Sequence, residues 1–508
     1  MNLDDPFTGY SFLLRTIVYV LVPAFTVLQC VRIRRALHVF QLEGYKRRRF
    51  LEWTKTHRDR AWWLKSDTAK KPLVMTGRAW RLLVTATLMV PIAVLVPSGL
   101  THVWLGGWPI DVITWVAVTV LVFIYTSHLL VAADVVLAPV QSAINRVYLR
   151  RAKSKLSSIA PVVVGVTGSF GKTSTKFAIE QLLEGALATP SSYNTPLGVC
   201  RTINEKLDES VRYFIVEMGA YGQGEIAELC RFVNPSIGVL TAVGPAHLER
   251  FGSLDAVRRA KYELIESLPH DGVAVMNVDD PIVRELADST EHVQVVRYGL
   301  AAEARPDVTA GDVRVGSQGS SFTIRDPRSD EAVEVETHLL GRHAIGHVLA
   351  GVAVARAAGR NLSELVSSIS QLRAVEHRLQ LIEGTGGVTV IDDAYNSNPE
   401  GAAAALDVLE AIPSRKKVVV SPGIVELGPE QFEANEHFGE RAAEVADVLI
   451  IVARLNRDAI VAGTARASDG ARVLTVDTLD DAAKALQGIL KPGDVVLFEN
   501  DLPDQYEG

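Results

Sequence analysis

Residues 161–176 read PVVVGVTGSFGKTSTK, a β-branched run feeding a glycine turn that closes on Gly171-Lys172-Thr173. A hydrophobic strand entering such a turn points backbone N–H groups at oxyanions, and the helix that follows adds the positive end of its dipole. Lys172 would set a mobile cation on the β- and γ-phosphates, and the Thr173 hydroxyl would take a Mg²⁺ position. Gly168, Ser169, Gly171 and Ser174 complete the cradle. Val166, not glycine, stands five residues before Gly171, so the stretch is the shorter TG-x-x-GKT form of the GxxxxGK[ST] pattern. An ordinary strand-to-helix loop is the competing reading, and the order of glycines, lysine and hydroxyls behind a strand speaks against it.

A chain of 508 residues exceeds one core and implies about three domains. Its charge is uneven. Basic residues outnumber acidic ones 21 to 8 over 1–155, against 31 to 51 over the rest. An acidic body argues against nucleic acid as a partner. The basic head coincides with three apolar stretches, 12–31, 80–100 and about 112–133, each near the ~20 residues that cross a bilayer core. No small-residue cleavage site follows the first, so it does not read as a signal peptide. Clusters at Arg32–Arg35, Lys46–Lys71 and Arg146–Lys155 flank the spans, and the positive-inside rule places them in the cytoplasm. The expectation is a multi-pass protein of the plasma membrane with cytoplasmic catalytic domains and membrane lipid as a partner. Cys30, Cys200 and Cys230 show no C-x-x-C spacing, which supports neither a zinc ribbon nor a disulfide framework.

Beyond the spans, apolar runs at 161–166, 212–217, 236–242, 272–277 and 293–298 alternate with helical stretches, the pattern of a mainly parallel sheet covered by helices. Residues 302–338 alternate as short antiparallel strands, and 342–359 carry helical spacing with a glycine stop. A second alternating set begins near 380. The expected fold is α/β: a three-helix transmembrane region over 1–155, a central P-loop-type ATPase domain over 156–378 and a Rossmann-like domain over 379–508.

Glu217 closes an apolar strand in YFIVEMGAYGQGEI, where α/β folds place ligand contacts. A solvated strand end is the bland alternative. His247 follows another strand in TAVGPAHLERFGSL, and Lys261 heads the amphipathic RRAKYELIESLP; either alone would read as an ordinary residue. Taken together, GVTGSFGKTSTK, EMGAYGQGEI, PAHLERFGS, AKYELIESLP, VMNVDDP, EHRLQ and IDDAYNSNPEG resemble the Mur ligase family, in the branch that adds D-alanyl-D-alanine to the UDP-linked tripeptide. The resemblance implies an ATP-dependent amide ligase of peptidoglycan precursor synthesis that works through an acyl-phosphate. It implies two Mg²⁺ ions held by Thr173, Glu217, His247 and a carbamylated Lys261. Arg378, Asp392 and Asp393 would lie by the nucleotide, and Asn396 and Asn398 by the incoming amine.

The resemblance covers 156–411 well and fails in three places. The adenine segment G-x-H-N-V-x-N-A-L-A reads GRHAIGHVLA, with Ala344 and His347 at the two Asn positions, and His347 is expected to take the base edge. The glycine-and-acid strand before ELG has become VVVSPGIVELG, and VVLFENDLPDQYEG stands where the family has a Lys-Gly-Ser-Arg stretch. The UDP-binding domain is replaced by the apolar spans and basic loop, which motivates a lipid-linked acceptor and envelope-synthesis proteins as partners. A poly-γ-glutamate synthase-like ligase and a non-catalytic Mur-like scaffold remain open alternatives.

Overall fold

The apolar runs and helical stretches read from residue 161 onward fold into two sheets clothed in helices. The computed structural model describes residues 7–56, 72–105, 108–190, 193–245, 251–316, 319–326, 331–395, 397–467 and 470–501. Its contacts divide the chain into two units, Met1–Val147 and Tyr148–Gly508.

In the first unit run helices Phe7–Leu42, Arg47–Thr56, Gly77–Leu105, Trp108–Ile124 and the start of Thr126–Ile159. Ile33, Leu37, Phe40, Phe50, Leu82 and Leu130 make its core. Buried Asp134 accepts from Arg47 Nε at 2.7 Å and from Arg78 Nη2 at 3.0 Å, so two of the basic residues neutralise an internal acid. The expected span 112–133 is not one helix. Trp108–Ile124 ends, Tyr125 turns, and Thr126–Ile159 begins. At 17 residues the first piece falls short of the roughly 20 a bilayer core requires. Among the described residues two helices, Gly77–Trp104 and Thr126–Ile159, are long and apolar enough to cross a membrane, a test that the core helix of a soluble protein also passes. Where three spans are expected, the described residues hold two candidate helices, and the side chains of most of the first expected span, 12–31, lie outside them. Side chains of residues 12–23 and the basic residues of 57–71 lie outside the described residues.

In the second unit β1 (Val162–Thr167), β2 (Ala186–Ala188), β3 (Tyr213–Glu217), β4 (Ile237–Leu240), β5 (Val273–Asn277), β6 (Gln294–Gly299), β7 (Val308–Gly316), β8 (Gly319–Asp326) and β9 (Glu331–Thr337) form one sheet. Their order is β2-β3-β1-β4-β5-β6-β7-β8-β9, parallel up to β7 and antiparallel from β7 to β9. The central strands are apolar throughout because both faces are covered. Helices Pro196–Lys206, Glu225–Val233 and Leu254–Glu266 pack on one face, and Lys172–Leu182, Arg342–Ala357 and Leu362–Ser370 on the other. Strand order reverses around β1, which has β3 on one side and β4 on the other. Ligand crevices of open α/β sheets open at such a point, beyond the carboxyl ends of the strands.

A second sheet contains β10 (Gln380–Glu383), β11 (Thr389–Asp393), β12 (Lys417–Ser421), β13 (Val448–Val452), β14 (Arg472–Val476) and β15 (Val495–Glu499), in the order β10-β11-β15-β12-β13-β14. Only its edge strand β10 is antiparallel. The chain's last strand thereby lies between β11 and β12, which sets Glu499 directly beside Asp393.

Gly168 fixes the glycine turn. Its φ is +152°, and a Cβ there would strike Thr241 Oγ1 and come within 2.9 Å of the Ala242 nitrogen. Gly168→Ala is expected to cost roughly 2 kcal/mol or more in urea unfolding, since it adds backbone strain to overpacking. Gly222→Ala, where a Cβ meets open space, should shift the curve far less.

Candidate active site

The turn after β1 is fastened from the strand beside it. Ser169 N donates to Ala242 O at 2.7 Å, the Ser169 hydroxyl and Gly244 bond each other at 3.0 Å, and the Thr241 hydroxyl donates to Thr167 O and Phe170 O. Lys172 Nζ folds into this turn and donates to Gly168 O at 2.7 Å and Ser169 O at 3.1 Å. Burial, with the Arg378 charge adding and Glu217 opposing, holds the ammonium's pKa down at about 8. Among the described residues this cation is hydrogen-bonded only to neutral carbonyls, which an entering anion can draw it away from.

Glu217, 2% exposed at the end of β3, is the hub. Its Oε2 accepts from Thr173 Oγ1 at 3.0 Å and from Lys176 Nζ at 3.0 Å. Lys176 is wholly buried. Sequence reasoning passed over this residue, although GKTSTK carried the signal: spacing of four puts Lys172 and Lys176 on one helix face, and both sense the Glu217 charge. Lys261 reaches the same neighbourhood from helix Leu254–Glu266, 2% exposed. Burial first, then the Lys172 charge, pushes its amine down to about 7 against the pull of Glu225, Glu263 and Glu217. Glu263 is itself held by Gly224 N and Ala227 N, which ties the start of helix Glu225–Val233 to the helix bearing Lys261.

Gly168, Ser169, Gly171, Lys172, Thr173, Glu217 and Lys261 therefore meet around the turn, with Ser174 in the first turn of the helix. His247 and Asn396 lie outside the described residues. His347 sits under the turn: its Nδ1 and Thr175 Oγ1 are 3.0 Å apart, and a Cβ on Gly171 would touch its Cε1. Burial, reinforced by His343 and Arg378, pushes its pKa down to about 3, so the ring is neutral.

Arg378 brings the second sheet to the site. Its Nη2 lies 3.4 Å from Thr173 Oγ1, and its guanidinium stacks over Tyr395 at 4.6 Å. A cavity of about 460 Å³ opens here, lined by Thr173, Phe177, Glu180, Arg373, Arg378 and Tyr395 among others. Asp392 Oδ2 pairs with His377 Nδ1 at 2.7 Å, a hydrogen bond that raises the His377 pKa. Asn398 caps helix Pro399–Ala411 by accepting from Gly401 N at 2.9 Å. The donors Thr173 and Glu217 are hard oxygens, the kind Mg²⁺ takes together with phosphate oxygens and water. Among the described residues no group of three or more His, Cys, Asp or Glu gathers, so an ion here would lean on substrate oxygens.

Residues 166–355 match the Mur ligase middle domain and 377–499 the Mur ligase glutamate ligase domain. The UDP-N-acetylmuramoyl-tripeptide–D-alanyl-D-alanine ligase of Mycobacterium leprae is 33% identical over 366 residues, covering 66% of this chain and 70% of that one. The chain belongs to the Mur ligase family. It is accordingly an ATP-dependent ligase. The ligase of the same name from Bacillus subtilis is 28% identical over 357 residues, covering 68% of this chain and 75% of that one. MurF from Thermotoga maritima in complex with ADP matches with a TM-score of 0.63 at 27% identity, over 71% of this chain and 81% of that one.

These matches overturn the assignment to the plasma membrane as a multi-pass protein. The relatives are ligases matched through the two Mur domains, none named as a membrane protein, and two apolar helices do not sustain the assignment on their own.

The buried pair yields a sharp contrast between two lysines one turn apart. Lys176→Met strands the Glu217 carboxylate in the interior and is expected to lower unfolding free energy by about 3–5 kcal/mol. Lys172→Ala removes an ammonium bonded only to carbonyls and should cost no more than about 1 kcal/mol. Urea titrations of both variants decide the matter, and equal losses would refute the hub role of Glu217.

Proposed function

We propose that the chain joins an amine to the carboxylate of a cell-wall peptide precursor, with residues 156–378 binding ATP as a P-loop-type domain and 379–508 closing over it as a Rossmann-like domain. The observation that carries this reading is the convergence of Lys172, Thr173, Glu217, Lys176 and Lys261 beyond the carboxyl ends of β1 and β3. Activating an acid with ATP brings two anions together, and a site that does so has to be rich in preorganised cations and N–H groups. Lys172 would leave the carbonyls of Gly168 and Ser169 for the β- and γ-phosphates. Thr173 and Glu217, with His247, would hold Mg²⁺, which when bound neutralises charge on the transferring phosphoryl group.

Lys261 is suited to carbamylation. A buried amine with a pKa near 7 is largely neutral at physiological pH and can add CO₂ with loss of one proton. The product puts an anion where a neutral amine stood, which suits a second Mg²⁺ site. The γ-phosphoryl group passes to the substrate acid, giving an acyl-phosphate and ADP. The amine attacks the acyl carbon, and phosphate leaves. Arg378, bonded to Thr173 from beside the second sheet, would reach the nucleotide and help exclude water as the domains close. Asp392 and His347 support nucleotide binding indirectly, through His377 and through Thr175. The relatives named above make UDP-N-acetylmuramoyl-tripeptide the reference acid and D-alanyl-D-alanine the reference amine. The apolar spans and the basic residues of 32–81 motivated a lipid-linked acceptor; those of 57–71 lie outside the described residues, and neither that acceptor nor envelope-synthesis partners are carried further.

Phosphate release from ATP should depend on both the UDP-linked tripeptide and an amine, and should stop with EDTA. Failure of ADP to bind in calorimetry would return the chain to the scaffold alternative. Lys172→Ala should lower turnover by at least about 10³-fold while the protein stays folded. Lys261→Ala should be inactive and partly restored by formate or acetate. If no small carboxylate restores any turnover, the carbamate is wrong.

A further inference from the structure

The helix that leaves the phosphate turn carries a carboxylate, Glu180, beyond the end of the GVTGSFGKTSTK motif. Thr173, Phe177 and Glu180 fall at i, i+4 and i+7, on one face of Lys172–Leu182, and these residues wall the cavity of about 460 Å³ from the turn outward. At 1.5 Å per residue Glu180 starts about 10 Å beyond Thr173, and a helical side chain leans back over the preceding turn. Its charge is accordingly felt by Lys176, one turn earlier. The half-buried carboxylate is fixed rather than loose. Its Oε1 accepts from Ala188 N, at the end of β2, at 2.8 Å, the one hydrogen bond it makes among the described residues, and Oε2 has no donor there.

The opposite wall is the linker to the second sheet, and its distance from the helix is set. Gln181 Oε1 accepts from Arg373 N at 3.0 Å and Gln181 Nε2 donates to Arg373 O at 3.4 Å, so one amide clips the linker to the helix. Tyr395, with the Arg378 guanidinium on its ring, completes the lining. A preformed cavity of this size with the phosphate turn at one end matches the run of a nucleoside diphosphate, phosphates by Thr173 and nucleoside along Phe177 and Glu180. Neither Asp392 nor His347, both expected at the nucleotide, lines it. Asp392 is taken up by His377 Nδ1 and Ala394 N, and His347 lies under the turn against Thr175.

We propose that Glu180 is the ribose clamp of this chain, its free oxygen accepting from the 2′,3′-diol of the bound nucleotide. This rests on the ligase reading above and gives its nucleotide site a specificity-determining residue. A carboxylate only accepts, so it suits a diol, which offers two adjacent donors. The edge of adenine sets an amine donor beside ring-nitrogen acceptors, and a carboxylate satisfies the first while facing the second unpaired. Bonds from O–H to a carboxylate are short and charge-assisted, about twice as strong as those between neutral groups. The clamp therefore reads the sugar and not the base.

Calorimetry on the full chain tests this with three probes: ADP, 2′,3′-dideoxy-ADP, which lacks the diol, and purine riboside diphosphate, which keeps the diol and lacks the base amine. The wild type should bind ADP at least about tenfold tighter than the dideoxy form, the scale of a hydrogen bond to a charged group. Glu180→Gln keeps an oxygen for Ala188 N and loses the charge. It should weaken ADP and purine riboside diphosphate by one common factor of about fivefold or more while leaving the dideoxy form within about twofold of wild type. Glu180→Ala should close the gap between ADP and the dideoxy form. A wild type indifferent to the diol overturns the proposal. Equal losses for ADP and the dideoxy form in both variants overturn it too, because they mark a carboxylate that only supports β2. A loss for ADP that purine riboside diphosphate does not share assigns Glu180 to the base amine and likewise overturns the clamp. Each of these outcomes leaves ADP bound by the wild type and the ligase reading intact, whereas a wild type that binds no nucleotide defeats that reading and the clamp together.

Discussion

A carboxylate taken out of water at the end of β3 governs the rest of the site. Glu217 is stable there because Lys176 and Thr173 both reach its Oε2, and both come from the helix that follows the glycine turn. That pairing pins the helix to the sheet in rotation as well as in translation. Lys172, one turn earlier on the same face, is left to the turn's own carbonyls, and its charge is one of the forces that depress Lys261. One buried acid thus fixes three lysines in three states: one paired, one loosely held, one largely neutral. A buried ion pair of this kind adds little net stability against an apolar substitute. Its consequence here is to settle which lysine is left for the substrate.

The connection between the sheets is short and conformationally costly. His377 and Leu379 take φ of 60° and 45°, a region that side chains other than glycine rarely enter. The flanking bonds hold them there: Asp392 to His377, Asp393 to Leu379 N, and Arg378 to Thr173 with its face on Tyr395. Strain over-determined in this way belongs to segments that set the geometry of a site. Here it carries a single guanidinium from the second sheet to the hydroxyl beside the phosphate turn.

The parallel strands of both sheets were legible because their apolar runs end at glycine, proline or an acid. Strand β2 was not, being three residues long, nor were β14, whose RVLTV mixes polar residues into a short run, and edge strand β10, whose QLIE is too short to show a period. The glycine turn, Glu217 and Lys261 could be read from motifs. The spacing in GKTSTK puts Lys176 on the face of Lys172, but its burial depends on a carboxylate 41 positions away, which the spacing alone does not show. The apolar stretch at 112–133 misled for the opposite reason: composition is blind to the break at Tyr125.

The departures from the family pattern divide by what they do. Below the turn, His347 replaces an amide and supports Thr175 and Gly171 with a ring kept neutral by its surroundings. In the second sheet, the acid that precedes ELG in the family is absent and Gly423 stands in its stretch. Asn435, Asn456 and Asn500 hold that loop through neutral bonds to Ile424, Pro422 and Gly423. A Cβ at Gly423, whose φ is +81°, would collide with two of these amides, so the network and the glycine require each other.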